Sequence, residues 1–201
     1  MKAEVSNPRD FDEMSYKYLL SFVKNRGTPP TSFLDTLIAW AKTADDDIFA
    51  PNNERDDVMT LLKPLLGPWT DPLSRKCAML ELLRVLAGFE SSWHWNEGVD
   101  LTNARSQSDA KCEETGIFQV SYDSVAHSDD LRAFLISNGV QNAHQFIEAM
   151  KKDHFLAIEY CARLLRVSYK WDGPIKRGEI NSSLSRNAMA EFRMILTNLS
   201  K

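Results

Sequence analysis

The chain has 201 residues, of which 43% are hydrophobic and 26% are charged. This composition fits one soluble folded domain, with or without an extension, and excludes disordered and collagen-like chains. The net charge of −4 disfavours nucleic acid as a partner, because phosphate binding relies on clustered Lys and Arg. The charge is uneven, since 14 Lys and Arg stand against 23 Asp and Glu in 1–150, and 10 against 5 in 151–201. No apolar run reaches the about 20 residues of a membrane span, so none is expected.

Apolar residues recur with a helical period through most of the chain, which predicts a mainly α fold. The predicted helices are, in chain order, 11–25, 31–44, 54–66, 72–90, 128–138, 141–151, 153–170 and 185–199. Three breaker segments, 27–30, 45–53 and 67–72, separate the first four. Asp71 and Pro72 predict the N-cap and the first position of the fourth helix.

The fourth predicted helix ends at a carboxylate that suits acid catalysis. Residues 73–89 are apolar on almost every side, which predicts a buried central helix. Glu90 follows directly, where apolar neighbours such as Phe89 and Trp93 and the negative end of the helix dipole are expected to raise its pKa. A carboxylic acid that stays protonated near neutral pH is what a glycosidase uses to protonate the leaving oxygen. On position alone, an ordinary solvated Glu remains an equal alternative.

Three short motifs stand in a defined order around this residue. They are Glu90-Ser91, Gly116-Ile-Phe-Gln119 and Ala157-Ile-Glu-Tyr160-Cys-Ala-Arg-Leu164-Leu165. The ordered set resembles the lysozyme superfamily, in particular soluble lytic transglycosylases and goose-type lysozymes, over residues 72–172. The sequence departs from those families in its 26-residue step from Glu90 to Gly116 and in Ile117-Phe118, where they have Leu-Met.

The resemblance implies a fold, a division of the chain and an activity. It implies a lysozyme-like helical fold, with 71–201 as the catalytic domain and 1–70 as an N-terminal helical extension. It also implies cleavage of the glycan strands of peptidoglycan, with Glu90 as the general acid.

The group that completes the reaction is less defined. An inverting hydrolase needs a base about 6.5–9.5 Å from the acid, and a retaining one a nucleophile at about 5–5.5 Å. Glu114 is the first candidate, because it precedes the turn that the resemblance places beside the cleft, and Asp100 is the second. The same loop also contains Glu97, Asp109 and Glu113. Lytic transglycosylases need no second carboxylate, because the muramic acid's own hydroxyl attacks, and this alternative stays open.

Further polar and aromatic residues are candidates for binding sugar. Ser91, Gln119 and Ser121 offer hydrogen bonds to hydroxyl or N-acetyl groups, with turn capping as the competing interpretation. The candidates for stacking on sugar faces are Trp95, Tyr160 and Trp171, with Trp93 and Tyr122 as further aromatics. The resemblance places Tyr160 in the cleft near the acid.

No cofactor and no metal site are expected. The chain lacks HExxH, GxGxxG, GxxxxGK[ST] and GxSxG. Cys77, Cys112 and Cys161 lack zinc-ligand spacing and allow at most one disulfide. A nucleophilic pair of Cys161 and His154 is disfavoured, because the two lie about two turns apart on one predicted helix.

The partners and rival functions follow from this hypothesis. Acidic residues near the N-terminus do not fit a secretory signal, so we expect synthesis in the cytoplasm and action in the periplasm or outside after delivery by another route. Such a protein resembles an antibacterial effector or a phage muramidase, for which a cognate immunity protein that plugs the cleft is an expected partner beside the glycan strand. The alternatives are a chitinase-like or chitosanase-like glycosidase and a non-catalytic helical interaction module on a lysozyme-like skeleton.

Overall fold

The computed structural model of the protein describes residues 16–52, 55–69, 71–99, 104–171 and 173–199. Within these ranges the chain forms α-helices joined by turns and short 3-10 helices and has no β-strand, which confirms the predicted mainly α class. The α-helices are α1 (Thr31–Thr43), α2 (Val58–Leu66), α3 (Pro72–Ser91), α4 (Ala104–Ser108), α5 (Asp129–Ser137), α6 (Ala143–Lys152), α7 (His154–Val167), α8 (Gly173–Lys176) and α9 (Arg186–Asn198). No helix in these ranges is both long and apolar enough to cross a bilayer.

The first predicted helix, 11–25, is wrong over its described part, residues 16–25, which form turns. The carboxylate of Glu191 on α9 accepts three successive backbone N–H groups, those of 17–19, at 2.6–2.8 Å. Asn25 has a positive φ of 63°, and Val23 pairs with Gly27 across a tight turn. These three N–H groups therefore bond to a distant side chain, and not to the backbone carbonyl oxygens that would accept them in a helix. Residues 11–15 of this prediction lie outside the described residues.

Helix α3 is the centre of the molecule, as its sequence predicts. Asp71 caps it by accepting a hydrogen bond from the Ser74 N–H at 2.8 Å, and Pro72 occupies the first helical position, where no N–H is needed. Helix α9 packs along α3, and α1, α2 and α7 also contact it. Every residue from Cys77 to Gly88 is buried, so α3 has no polar face there.

A buried ion pair in the middle of α3 ties both ends of the described chain to the core. Arg84 and Glu81 have no exposed side-chain surface, and Arg84 Nε lies 2.7 Å from Glu81 Oε2. The same guanidinium donates to the Leu19 and Ser183 carbonyl oxygens, and Glu81 accepts from the Ser185 N–H at 2.8 Å. These bonds satisfy a charge pair that would be costly to bury otherwise.

The described residues of the predicted N-terminal extension share one hydrophobic core with the later helices. Helix α1 contacts α3, α7 and α9. Asp57 caps α2 and pairs with the buried Arg166 of α7, with 2.8 Å between Oδ1 and Nε. The described residues of 16–66 therefore contribute to the same core as α3 and α7.

Candidate functional site

The candidate acid, Glu90, lies in the last turn of α3 and is partly exposed, whereas the preceding turns are buried. The helix ends because Ser92 and Trp93 both adopt positive φ, at 51° and 63°. Trp93 then folds back, so that its indole N–H donates to the Arg84 carbonyl oxygen at 2.9 Å. The indole packs directly on the backbone of Gly88. A Cβ at position 88 would lie only 2.6 Å from the Trp93 ring, so this contact needs glycine there.

A tight turn follows the long loop and carries the second motif. Thr115 and Val120 form an isolated antiparallel bridge, and between them Gly116 and Gln119 have positive φ, at 70° and 47°. The Gln119 side-chain amide donates to the Gly116 carbonyl oxygen at 2.9 Å, so it stabilises the turn. A Cβ on Gly116 would lie 2.8 Å from the Met150 carbonyl oxygen, so the turn packs closely on the end of α6.

Ser91 joins the two motifs. Its Oγ lies 2.8 Å from the Ile117 carbonyl oxygen and 3.1 Å from that of Ala87, and it accepts from the His94 N–H at 3.1 Å. The structure therefore places the end of α3, with Glu90, against the Gly116–Gln119 turn. Ser91 itself is buried, so it positions these segments and does not offer a hydroxyl to a ligand.

The third motif lies on α7. Tyr160 has no exposed surface, its hydroxyl lies 2.6 Å from Ser124 Oγ, and its ring packs edge-on against Phe146. Burial raises the pKa of this phenol. A side chain without exposed surface has no face for a sugar, so the expected contact between Tyr160 and substrate is replaced by a packing role.

The acidic residues of the loop fall into different places. Glu114 is half-buried directly before the turn, and the Glu97 carbonyl oxygen accepts from the Gly116 N–H at 3.0 Å, so both lie near the turn. Glu113 is also half-buried. Asp109 is exposed and caps a turn by accepting from the Lys111 N–H at 2.9 Å. Asp100 lies outside the described residues.

The remaining predicted binding residues are divided between surface and core. Ser121 is partly exposed, and its hydroxyl donates to Asp123 Oδ1 at 2.6 Å. The Tyr122 hydroxyl donates to the Gln141 carbonyl oxygen at 3.0 Å, and Trp93 is buried. Trp171 ends a short 3-10 helix, and its side chain lies outside the described part.

Trp95 forms a contact that sequence reasoning missed. Its ring stacks on the His154 imidazole with a centroid distance of 3.8 Å and an interplanar angle of 10°, and Phe33 packs on it at 5.9 Å. Burial lowers the pKa of His154, while Asp153 acts in the opposite direction. The loop after Glu90 is thus held on the corner between α6 and α7. A pair so far apart in the chain leaves no pattern in the sequence.

The described His, Cys, Asp and Glu side chains were compared with what a metal site or a reactive thiol requires. Among them, no group of three or more His, Cys, Asp and Glu residues could hold a metal ion. Cys77, Cys112 and Cys161 are free thiols, and burial raises the pKa of Cys77 to about 12. Glu90 precedes Ser91, whose hydroxyl contacts the turn, and it is partly exposed.

Comparisons with protein-family models, with curated proteins and with solved structures find no match. A functional assignment therefore depends on the side chains of the site.

Proposed function

We propose that this protein cleaves the glycan strands of peptidoglycan, between N-acetylmuramic acid and N-acetylglucosamine, with Glu90 as general acid. The observation that carries the proposal is the hydrogen bond from Ser91 Oγ to the Ile117 carbonyl oxygen, 2.8 Å long. It brings together two motifs that are 26 positions apart and that resemble the catalytic Glu and the cleft turn of one enzyme superfamily.

In the proposed reaction, the protonated Glu90 carboxyl gives its proton to the glycosidic oxygen as the bond from that oxygen to the sugar carbon breaks. The resulting carboxylate stabilises the positive charge that develops on the sugar ring. Water attack, assisted by Glu114 as base, yields a reducing end. Attack by the muramic acid's own hydroxyl, whose proton passes to the Glu90 carboxylate acting as base, yields a 1,6-anhydro end.

The packing around Glu90 supports a role that requires a fixed carboxyl. Its helix is buried from Cys77 to Gly88, and the hydrogen bonds of Trp93 and Ser91 hold the end of the helix and the residues that follow. Pre-positioning of a proton donor contributes to catalysis because the donor need not be ordered at the moment of reaction.

The test uses dye-labelled peptidoglycan and two substitutions. We expect the wild-type protein to release soluble dye and Glu90→Gln to release at least about 100-fold less, because general acids contribute about 10²–10⁴-fold. Asp129→Asn is the matched control, since Asp129 is an exposed carboxylate in the first turn of α5. Unchanged circular dichroism of both variants excludes misfolding as the cause.

Substrate arms separate the rival functions. Faster cleavage of chitin or chitosan than of peptidoglycan would favour a chitinase-like or chitosanase-like enzyme. No cleavage of any of these glycans would contradict the proposal and favour an interaction module.

A further inference from the structure

The N-terminal turns, residues 16–27, combine exposed cations with exposed aromatic rings and contain no Asp or Glu. Phe22 is the most exposed large apolar side chain of the described residues, at 67%, and Tyr18 is exposed as well. Apolar side chains that are exposed among polar ones are typical of surfaces that bind a partner or a membrane. We call this set the N-terminal basic surface, and its members are Lys17, Tyr18, Phe22, Lys24 and Arg26.

The core of the protein holds the backbone of this surface in place. Leu19 and Val23 have no exposed surface, so their side chains anchor the turns from below. The Glu191 carboxylate accepts the three N–H groups of 17–19, and the Lys24 N–H donates to Ser183 Oγ at 3.2 Å. Side chains on an ordered backbone lose less conformational entropy on binding than a disordered segment loses, so this surface is prepared for docking.

The carboxylates of Asp35, Glu179 and Glu191 lie beside the N-terminal basic surface and have partners of their own. Asp35 accepts from the Tyr16 hydroxyl, and Glu191 is buried against the backbone N–H groups. Glu179 pairs with Arg177, with 2.5 Å between Oε1 and Nε. The positive charge of the N-terminal basic surface therefore persists, although the whole chain carries a net charge of −4.

Arg26 connects this surface with the last turn of α3. Its guanidinium carbon lies 5.6 Å from the centroid of the Phe89 ring, which is a cation–π contact. Phe89 directly precedes Glu90 in the chain. The N-terminal basic surface thus reaches the end of the central helix at which the candidate acid lies.

An anionic lipid bilayer fits both features of this surface. Each Lys or Arg near an anionic leaflet is attracted by its surface potential, and aromatic rings settle at the level of the headgroups. Salt screens charges beyond about 8–10 Å, so distant acidic residues of the chain do little to oppose this attraction. A protein partner would have to supply a pocket for the protruding Phe22 ring, whereas a bilayer accepts the ring at any point of its surface.

We propose that the N-terminal basic surface docks this protein on an anionic lipid bilayer. The two aromatic rings lie at the headgroup level, and the three cations lie against the lipid phosphates. The docking is peripheral, and it does not depend on the cleavage proposed for Glu90. It brings the C-terminal end of α3 close to the bilayer, because Arg26 contacts Phe89.

The first test is sedimentation of the full chain with vesicles made of equal parts of phosphatidylglycerol and phosphatidylcholine. We expect Lys24→Gln and Arg26→Gln each to weaken the partition about fivefold, equivalent to about 1 kcal/mol per basic residue. Phe22→Ala should weaken it about tenfold through the lost apolar contact. The matched controls are Lys63→Gln and Ile136→Ala, because both side chains are exposed on other helices and should leave the partition unchanged.

The second test reports the position of residue 22 directly. Phe22→Trp should show a fluorescence shift to shorter wavelength on the anionic vesicles, beyond any shift of the wild type, because the added indole enters the headgroup region. Vesicles of phosphatidylcholine alone should give neither sedimentation nor this shift.

Several results would overturn the proposal. They are the absence of sedimentation with the anionic vesicles, equal partition into neutral vesicles, equal losses in the control variants and no added shift in Phe22→Trp. Equal binding to poly-glutamate at the same concentration of negative charge would also overturn it, because the surface would then attract any polyanion, an acidic protein included.

Discussion

Ser91 Oγ and the Ile117 carbonyl oxygen lie 2.8 Å apart, and this contact fixes the end of the central helix to the turn of the long loop. Ser91 Oγ also accepts a hydrogen bond from the His94 N–H. One buried hydroxyl therefore joins the end of α3, the Gly116–Gln119 turn and the start of the long loop. Glu90 precedes Ser91 directly, and its position therefore depends on this hydroxyl.

Ser91→Ala tests how much the hydrogen bonds of the Ser91 hydroxyl contribute to stability. The change leaves the buried Ile117 carbonyl and the His94 N–H without their partner, which should lower the free energy of unfolding by about 1–3 kcal/mol. Ser137→Ala is the control, because the Ser137 hydroxyl also donates to a backbone carbonyl at 2.8 Å but is exposed. Urea denaturation should show a loss below about 0.5 kcal/mol for the control. Equal losses of unfolding free energy in the two variants would show that the buried Ser91 hydroxyl contributes no more than an exposed one.

Gly116→Ala should disturb the turn by a clash as well as by backbone strain. Gly116 and Gly139 both have positive φ, at 70° and 78°, but only at Gly116 does a Cβ meet a neighbour, the Met150 carbonyl oxygen at 2.8 Å. We expect Gly139→Ala to cost about 1 kcal/mol and Gly116→Ala about 1–3 kcal/mol more, because a backbone atom must move. Thermal unfolding of both variants measures the difference, and similar melting temperatures would contradict the packing of the turn on α6.

The buried ion pair of α3 should be far more important to stability than a surface pair. Arg84→Met leaves the Glu81 carboxylate buried without its counter-ion, which should cost about 3–5 kcal/mol. Arg163→Met is the control, since Arg163 pairs with Glu159 on a partly exposed face of α7, and it should cost about 1 kcal/mol or less. Urea unfolding at neutral pH measures both losses. A small loss for Arg84→Met would mean that Glu81 readily takes up a proton.

The pair of Asp71 and Arg193 predicts a pH-dependent contribution to stability. Hydrogen bonds from Arg193 and from the Ser74 N–H hold the Asp71 pKa well below its usual value. The folded state therefore binds fewer protons than the unfolded state. The stabilisation is complete above the unfolded pKa of about 3.9 and is lost as the pH falls through the lower folded pKa.

Asp71→Asn isolates the charge, because Asn also caps helices well. At pH 7 the variant should be less stable by at most about 1 kcal/mol, since the pair is partly exposed and screened by solvent. Urea unfolding at a series of pH values should show this difference shrinking below about pH 4. A difference that stays constant into strong acid would contradict the assignment.

Local pattern was sufficient to predict seven of the helices, because an apolar face and a cap are properties of neighbouring residues. The extent of α3, from the cap at Asp71 to the carboxylate at Glu90, follows from such signals. The turns at 16–25 do not, because Glu191, more than 170 positions away, takes their N–H groups. The spacing of apolar residues carries no information on a distant carboxylate that competes for the backbone N–H groups.

The candidate site was predictable only in its order along the chain. The motifs at Glu90 and Gly116 indicate that the two segments meet, and the structure brings them together through Ser91. The burial of Tyr160 and the stacking of Trp95 on His154 depend on how α6 and α7 pack, which sequence spacing does not define. Motifs thus indicated segments, whereas the exposure of each side chain required the fold.

The most direct test of Glu90 as a proton donor is mass spectrometry of purified peptidoglycan digested by the wild-type protein, Glu90→Gln and Glu114→Gln. We expect disaccharide muropeptides from the wild type and at least about 100-fold fewer from Glu90→Gln. Reducing ends that disappear with Glu114→Gln identify a hydrolase with that base, and 1,6-anhydro ends identify a transglycosylase. Equal release of muropeptides by the wild type and Glu90→Gln would show that Glu90 is not the proton donor.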